Sequence, residues 1–259
     1  MSIEPDLVIG RRDLLMDVFG QQLFDQHRGL LPDDFREVGE RDDGYIQVYD
    51  HPKWYFTPFD EWYPHLRKAM AYIRGRALDV GCGAGRVSLH LQQCGISVVG
   101  IDHSPLAVQV CRERGIDDAR VCSVTQVSAG RLGVFDSILM TGNNFGLFEN
   151  PGRARRLLRR FHSMTTSQGR IIAETMDPYA TDDPVNLAYQ DRNRVRGRMS
   201  GQYRHRECYG DLRGPWFDWL FVSRDEMREI VSGTGWTVSE FIEPEGPQYI
   251  AIIEKDRCP

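Results

Sequence analysis

The sequence predicts a doubly wound α/β fold with a mostly parallel sheet, and three observations carry that reading. From residue 77 onward short apolar runs alternate with helical ones, the pattern of βαβ units. The run ALDVGCGAGR, residues 77–86, joins an apolar strand to a glycine-rich turn and then to a helix carrying Val87, Leu89 and Leu91. Asp102 closes the next strand, about 20 residues beyond Gly81, where a carboxylate can accept ribose hydroxyls.

The elements follow in order. Leu14, Leu15, Val18, Phe19 and Leu23 recur at helical spacing and predict an opening amphipathic helix over 11–24. A looser stretch rich in Tyr45, Tyr49, Trp54, Tyr55, Phe56 and Phe59 follows. A helix over 64–73 presents Leu66, Met70 and Ile73, and Gly75 ends it. Strands are expected at 77–80, 97–101, 120–123, 134–140 and 170–174. Ser104 before Pro105 and Asn150 before Pro151 mark helix starts, and Ser223 with Glu226 forms a capping box. Two strands, near 236–242 and 248–254, follow that last helix with no room for a crossover and should be antiparallel neighbours.

Residues 1–74 thus read as an N-terminal helical and aromatic lid, and 75–259 as a nucleoside-binding domain interrupted by an insertion over 176–222. Within the insertion Arg192, Arg194, Arg196 and Arg198 alternate at strand period, Ser200-Gly201 signals a turn, and 202–208 reads as a returning strand, giving a small antiparallel cap.

The bulk numbers narrow the function classes. A net charge of −5 over 259 residues gives no global positive field for nucleic acid or acidic lipid. No apolar run approaches a membrane span, so a cytoplasmic protein is expected. The six cysteines show no C-x-x-C pairing and no histidine at zinc-finger spacing, so no metal site is expected.

A dinucleotide turn would place its third glycine at position 86, which is Arg86, while Gly85 comes one residue early. The G-x-G-x-G spacing with Asp79 two positions before it, LDVGCGAGR, instead resembles motif I of the class I S-adenosylmethionine (SAM) dependent methyltransferases, and VVGIDHS, residues 98–104, resembles their second motif. The resemblance covers roughly residues 45–255. It implies a seven-stranded sheet of order 3-2-1-4-5-7-6 with an antiparallel last strand, SAM as cofactor and S-adenosylhomocysteine as product. On that resemblance Asp79 and Gly81 lie near the methionine portion, Cys82 and Gly83 are also cofactor-binding, Asp102 holds the ribose and His103 borders the adenine. The family often has an acid after the third strand; here the text reads VCSVTQ, and Ser123 and Val124 take the adenine pocket. Thr141, Gly142, Asn143 and Asn144 end the fourth strand, facing the methionine end or the acceptor.

The acceptor is expected to be a small molecule of anionic or aromatic character, methylated on oxygen, nitrogen or carbon. Two aromatic groups are candidates to wall it: Tyr45, Trp54 and Tyr55, and Trp216, Phe217 and Trp219. Arg196 and Arg198 are candidates to clamp an anion. His51, His65 and His205 are the candidate bases, needed only if the acceptor keeps its proton at neutral pH. The alternatives are an RNA methyltransferase using the arginine patches, a SAM-binding protein without transfer activity, and a nicotinamide oxidoreductase.

Overall fold

The structure, a computed structural model, describes residues 17–244 and 246–256. The strands Ala77–Val80 (β3), Val98–Asp102 (β4), Ala119–Val121 (β5), Phe135–Met140 (β6), Thr165–Met176 (β7), Trp236–Ile242 (β11) and Gln248–Lys255 (β12) form one sheet of order β11-β12-β7-β6-β3-β4-β5. In strand sequence this is 3-2-1-4-5-7-6, as the motifs imply. β12 lies antiparallel to both β7 and β11, while β3 to β7 run parallel.

Apolar residues on successive positions of the central strands feed opposite faces. Ile138, Met140, Ile171 and Ala173 join a layer with Leu157, Phe161, Met227, Ile230 and Trp236. Leu139 and Ile172 join another with Trp62, Leu66, Ala69, Val87 and Leu91. Burial on both faces is why these strands read as unbroken apolar runs rather than as alternation. The first layer belongs to the helices Pro151–Ser163 (α6) and Arg224–Val231 (α8), the second to Pro64–Met70 (α2) and Arg86–Gln93 (α3). Val98–Asp102 leads into the helix Pro105–Glu113 (α4), capped by Ser104, whose hydroxyl accepts the Ala107 N–H. The opening helix, Val18–His27 (α1), packs on α4; the expected start with Leu14 and Leu15 falls outside the described residues. The short helix Ala129–Leu132 (α5) precedes β6. No helix among the described residues is long and apolar enough to cross a membrane.

A second, antiparallel sheet stands apart from the first. Val38–Arg41 (β1) pairs with Ile46–Val48 (β2) and with Gln202–Tyr209 (β8), and β8 pairs further with Leu212–Arg213 (β9) and Phe217–Leu220 (β10). The N-terminal segment and the insertion are therefore one structural unit. The expected return strand at 202–208 is present, but its neighbours are β1 and β10 rather than an arginine strand.

The segment with the alternating arginines is a helix, Pro184–Val195 (α7). Asp183 caps it by accepting the Val185 N–H, Pro184 occupies its first turn, and Tyr189, Gln190 and Asn193 form its buried face at helical spacing. The two-residue period belonged to one residue type, whereas the buried residues between follow the helical period that burial imposes.

Candidate functional site

The glycine turn after β3 is set by backbone geometry. Gly81, Gly83 and Gly85 have φ of 73°, 55° and 75°, a region that side chains with a Cβ avoid. A Cβ on Gly81 would lie 2.6 Å from Asn144 Nδ2, and one on Gly85 would lie 2.0 Å from Ile116 Cδ1. Asn144 donates from Nδ2 to the carbonyls of Val80 and Gly81, both at 2.9 Å, so it pins the turn to the end of β6. Asp102 closes the other side: its Oδ2 accepts the Gly83 N–H at 3.0 Å and its Oδ1 the Ser104 N–H at 2.9 Å. Asp79 is buried and accepts from Ser88 Oγ at 2.7 Å; burial pushes its pKa up to about 6. His103 Nδ1 stands 3.4 Å from Asp102 Oδ1.

These groups floor a cavity of about 860 Å³ that the antiparallel sheet roofs. On β8 the alternate residues Tyr203, His205 and Glu207 line it, as do Gly39 and Arg41 of β1, while Arg204 and Arg206 face away, paired with Asp218 and Glu40. Glu37 is 7% exposed; its Oε2 takes the Tyr55 hydroxyl at 3.4 Å and its Oε1 has no partner. Burial, with the Glu207 charge added, pushes the Glu37 pKa up to about 8, and burial pushes Glu207 up to about 7. The His205 ring packs 4.1 Å from Phe217, its Nε2 has no partner, and burial holds its pKa down to about 4. Arg41 is fully engaged: Nε and Nη2 donate to Asp43 at 2.9 Å, and Nη1 to Asn186 Oδ1 at 2.8 Å.

The chain matches a family model described as a methyltransferase domain over residues 77–169. Its fold is similar to that of a SAM-dependent methyltransferase from Bacteroides fragilis, solved with S-adenosyl-L-homocysteine: the TM-score is 0.79 at 26% identity, covering 94% of this chain and 97% of that one. The chain thus has the class I methyltransferase fold, with the match to a methyltransferase domain lying over residues 77–169. A methyltransferase structure from Methanosarcina mazei shares the fold at a TM-score of 0.58 and 16% identity, over 75% of this chain and 98% of that one. Among curated relatives, a ubiquinone biosynthesis O-methyltransferase from Xanthomonas oryzae is 40% identical over 68 residues, 24% of this chain and 28% of the relative. One from Xanthomonas campestris is 38% identical over 118 residues, 44% and 48% respectively. The chain thus aligns with less than half the length of the curated relatives it matches.

In this fold the residues expected at the cofactor, Asp79, Gly81, Cys82, Gly83, Asp102, His103, Ser123, Val124, Thr141 and Gly142, all line this cavity, as do Asn143 and Asn144. The acceptor candidates divide. Tyr55, Phe217, Trp219 and His205 line the cavity. Tyr45 instead stacks against the Arg41 guanidinium at 4.7 Å, Trp54 packs 4.6 Å from Tyr63 with Arg86 over its face, and Trp216 lies under Arg206. Arg196 ends α7 and Arg198 stands 3.4 Å from Asp218, both off the cavity wall. The strand expected to present them is absent: the helix runs to Val195, and Arg196 and Arg198 follow its end.

Two of the three histidines have structural partners. His51 caps the 3-10 turn Pro52–Phe56, its Nδ1 accepting the Lys53 N–H and its Nε2 donating to the Pro32 carbonyl. His65 Nε2 lies 3.5 Å from Glu174 Oε1, and Glu174 Oε2 accepts the Gly142 N–H at 2.6 Å. Glu37, Glu207, Tyr49 and Glu174 were not singled out from sequence. The one available signal for Glu207 was its place in a readable strand, on the same face as Tyr203 and His205.

Proposed function

We propose that the protein transfers the methyl group of SAM to a small-molecule acceptor enclosed between the two sheets. The observation that carries this reading is a cavity with the glycine turn and Asp102 on its floor and an aromatic and acidic roof above. Its volume of about 860 Å³ is within the usual range for ligand sites.

The residues present suit SAM. Gly83, where a Cβ would meet nothing nearer than Leu23 at 3.9 Å, leaves the turn open to close approach by a ligand, and each Asp102 oxygen keeps lone-pair capacity beyond the one N–H it accepts. In this reading Asp102 accepts the ribose hydroxyls, His103, Ser123 and Val124 border the base, and Asp79, Thr141 and Gly142 border the amino-acid end. Bound SAM supplies a methyl group already activated on a sulfonium. The chain's own part is then to orient the acceptor, exclude water and take a proton where the acceptor has one to lose. Residues 1–74 and 176–222 act together as the lid that selects the acceptor. Of the arginines of the RNA reading, Arg192 is paired with Asp42 and Arg206 with Glu40, which leaves the enclosed cavity as the better-supported site.

Incubation with methyl-labelled SAM and fractionated metabolites tests the reading. Label should move to a small molecule as S-adenosylhomocysteine is released; label moving to RNA alone would overturn it.

A further inference from the structure

The acceptor half of the cavity has a charge pattern that names a substrate class. Glu207 stands opposite Gly39 in the β1–β8 ladder, and Glu37, two residues before Gly39, faces the same side as its diagonal neighbour. Gly39 leaves room for Tyr49, whose Cε2 would lie 3.0 Å from a Cβ there. Tyr49 is held opposite Glu37 by its own N–H, which donates to the Glu37 carbonyl at 2.8 Å. Two carboxyl groups are thus set among Tyr49, Tyr55, Phe217 and Trp219, and the Glu37 Oε1 is buried without a hydrogen-bond partner.

Among the described residues on the cavity wall, every arginine already has a partner. Arg41 is spent on Asp43 and Asn186 and Arg153 on Glu149, while Arg86 donates to the Trp54 carbonyl and lies over the Trp54 and Trp62 rings. A carboxylate or phenolate brought here meets two carboxyl groups, and neither Arg41 nor Arg153 is free to pair with it. A buried carboxyl pair with an unsatisfied acceptor is costly on its own and is relieved by a donor that carries positive charge. Aromatic faces add to that preference, because their negative faces attract an ammonium group.

We propose that the acceptor is an amine, bound as its ammonium ion between Glu37 and Glu207 beneath these rings, and methylated on that nitrogen. The proposal rests on the methyltransferase reading. The ammonium gives one proton to a carboxylate of the pair, which becomes the neutral acid. The freed nitrogen lone pair forms the bond to the methyl carbon as the carbon–sulfur bond breaks, its electron pair passing to sulfur. The products are the methylated ammonium ion and S-adenosylhomocysteine, and the proton on the carboxyl returns to solvent. Burial, which holds Glu207 near neutrality, suits it to give and take that proton.

The test uses the full chain saturated with S-adenosylhomocysteine and two probes of similar shape and opposite charge, phenethylamine and 3-phenylpropionate, titrated by calorimetry. Phenethylamine should bind at least tenfold tighter than 3-phenylpropionate. Glu207→Gln and Glu37→Gln should each weaken it about tenfold or more while S-adenosylhomocysteine affinity stays within about threefold, which also reports that the variants fold. Equal or tighter binding of the carboxylate, no binding of the amine, or amine binding unchanged in both variants would overturn the proposal. Failure of S-adenosylhomocysteine to bind the native chain would instead remove the methyltransferase reading beneath it.

Discussion

The indole of Trp219 occupies the space that a side chain at Gly146 would need: a Cβ built on Gly146 would lie 1.8 Å from its Nε1. Gly146 belongs to the turn after β6 and Trp219 to β10 of the roof, so this contact docks the acceptor half of the cavity onto the sheet that carries the glycine turn. Gly146→Ala should force the indole out of its seat and cost about 1–3 kcal/mol by overpacking. Thermal unfolding and a shifted tryptophan emission would check it; an unchanged Tm with unchanged emission would show that the roof is not anchored there.

Asp102 separates ligand binding from loop architecture. Asp102→Asn keeps an oxygen for one of the N–H donors, Gly83 or Ser104, but removes the charge, and SAM affinity should fall about tenfold. Asp102→Ala strips both N–H partners and should lower stability as well. An unaltered SAM dissociation constant in the Asn variant would reduce Asp102 to a loop-bracing role.

The arginines off the cavity should be silent in catalysis. Neither Arg196 nor Arg198 lines the cavity, and Arg196→Ala with Arg198→Ala removes one weak pairing to Asp218, so acceptor KM and kcat should stay within about threefold. Trp219→Ala, in contrast, opens the cavity wall and should raise acceptor KM or lower kcat with SAM binding little changed. Steady-state kinetics on both variants decide between them.

The raised Glu37 value makes stability fall as pH rises. The folded chain holds that proton up to about pH 8, while an unfolded glutamate releases it near 4.5, so across this window the native state binds more protons and the free energy of unfolding declines with pH. Glu207, pushed to about 7, acts in the same sense. His205 acts oppositely, between about 4 and its ordinary 6.5, so the clean window lies above pH 6.5. There the apparent Tm should drop as pH rises, and Glu37→Gln should flatten the slope, at roughly 2–4 °C per kcal/mol. An identical slope in both proteins would mean that Glu37 is ionised in the folded state throughout.

Legibility in the sequence followed the range of the physics. The strand order and the floor of the cavity were readable because the glycine turn, Asp102 and the helix caps are written within a few residues of where they act. The roof was not. β1 and β2 span four and three residues, too short for a pattern, and β1 finds its partner β8 across more than half the chain. Glu37 and Glu207 carry no local motif, because their meaning comes only from the ladder that sets them on one face. The arginine alternation misled for the converse reason: a period carried by one exposed residue type says nothing of the buried positions between.

The most direct test of the whole reading is isothermal titration of the purified chain with SAM, S-adenosylhomocysteine and NAD, followed by release of S-adenosylhomocysteine in the presence of amine-containing acceptor mixtures. SAM and S-adenosylhomocysteine should bind and NAD should not, with release of S-adenosylhomocysteine stimulated by acceptor and abolished in an Asp102→Asn, Glu207→Gln double variant. NAD binding tighter than SAM, or SAM binding that never yields S-adenosylhomocysteine with any small-molecule fraction, would contradict it.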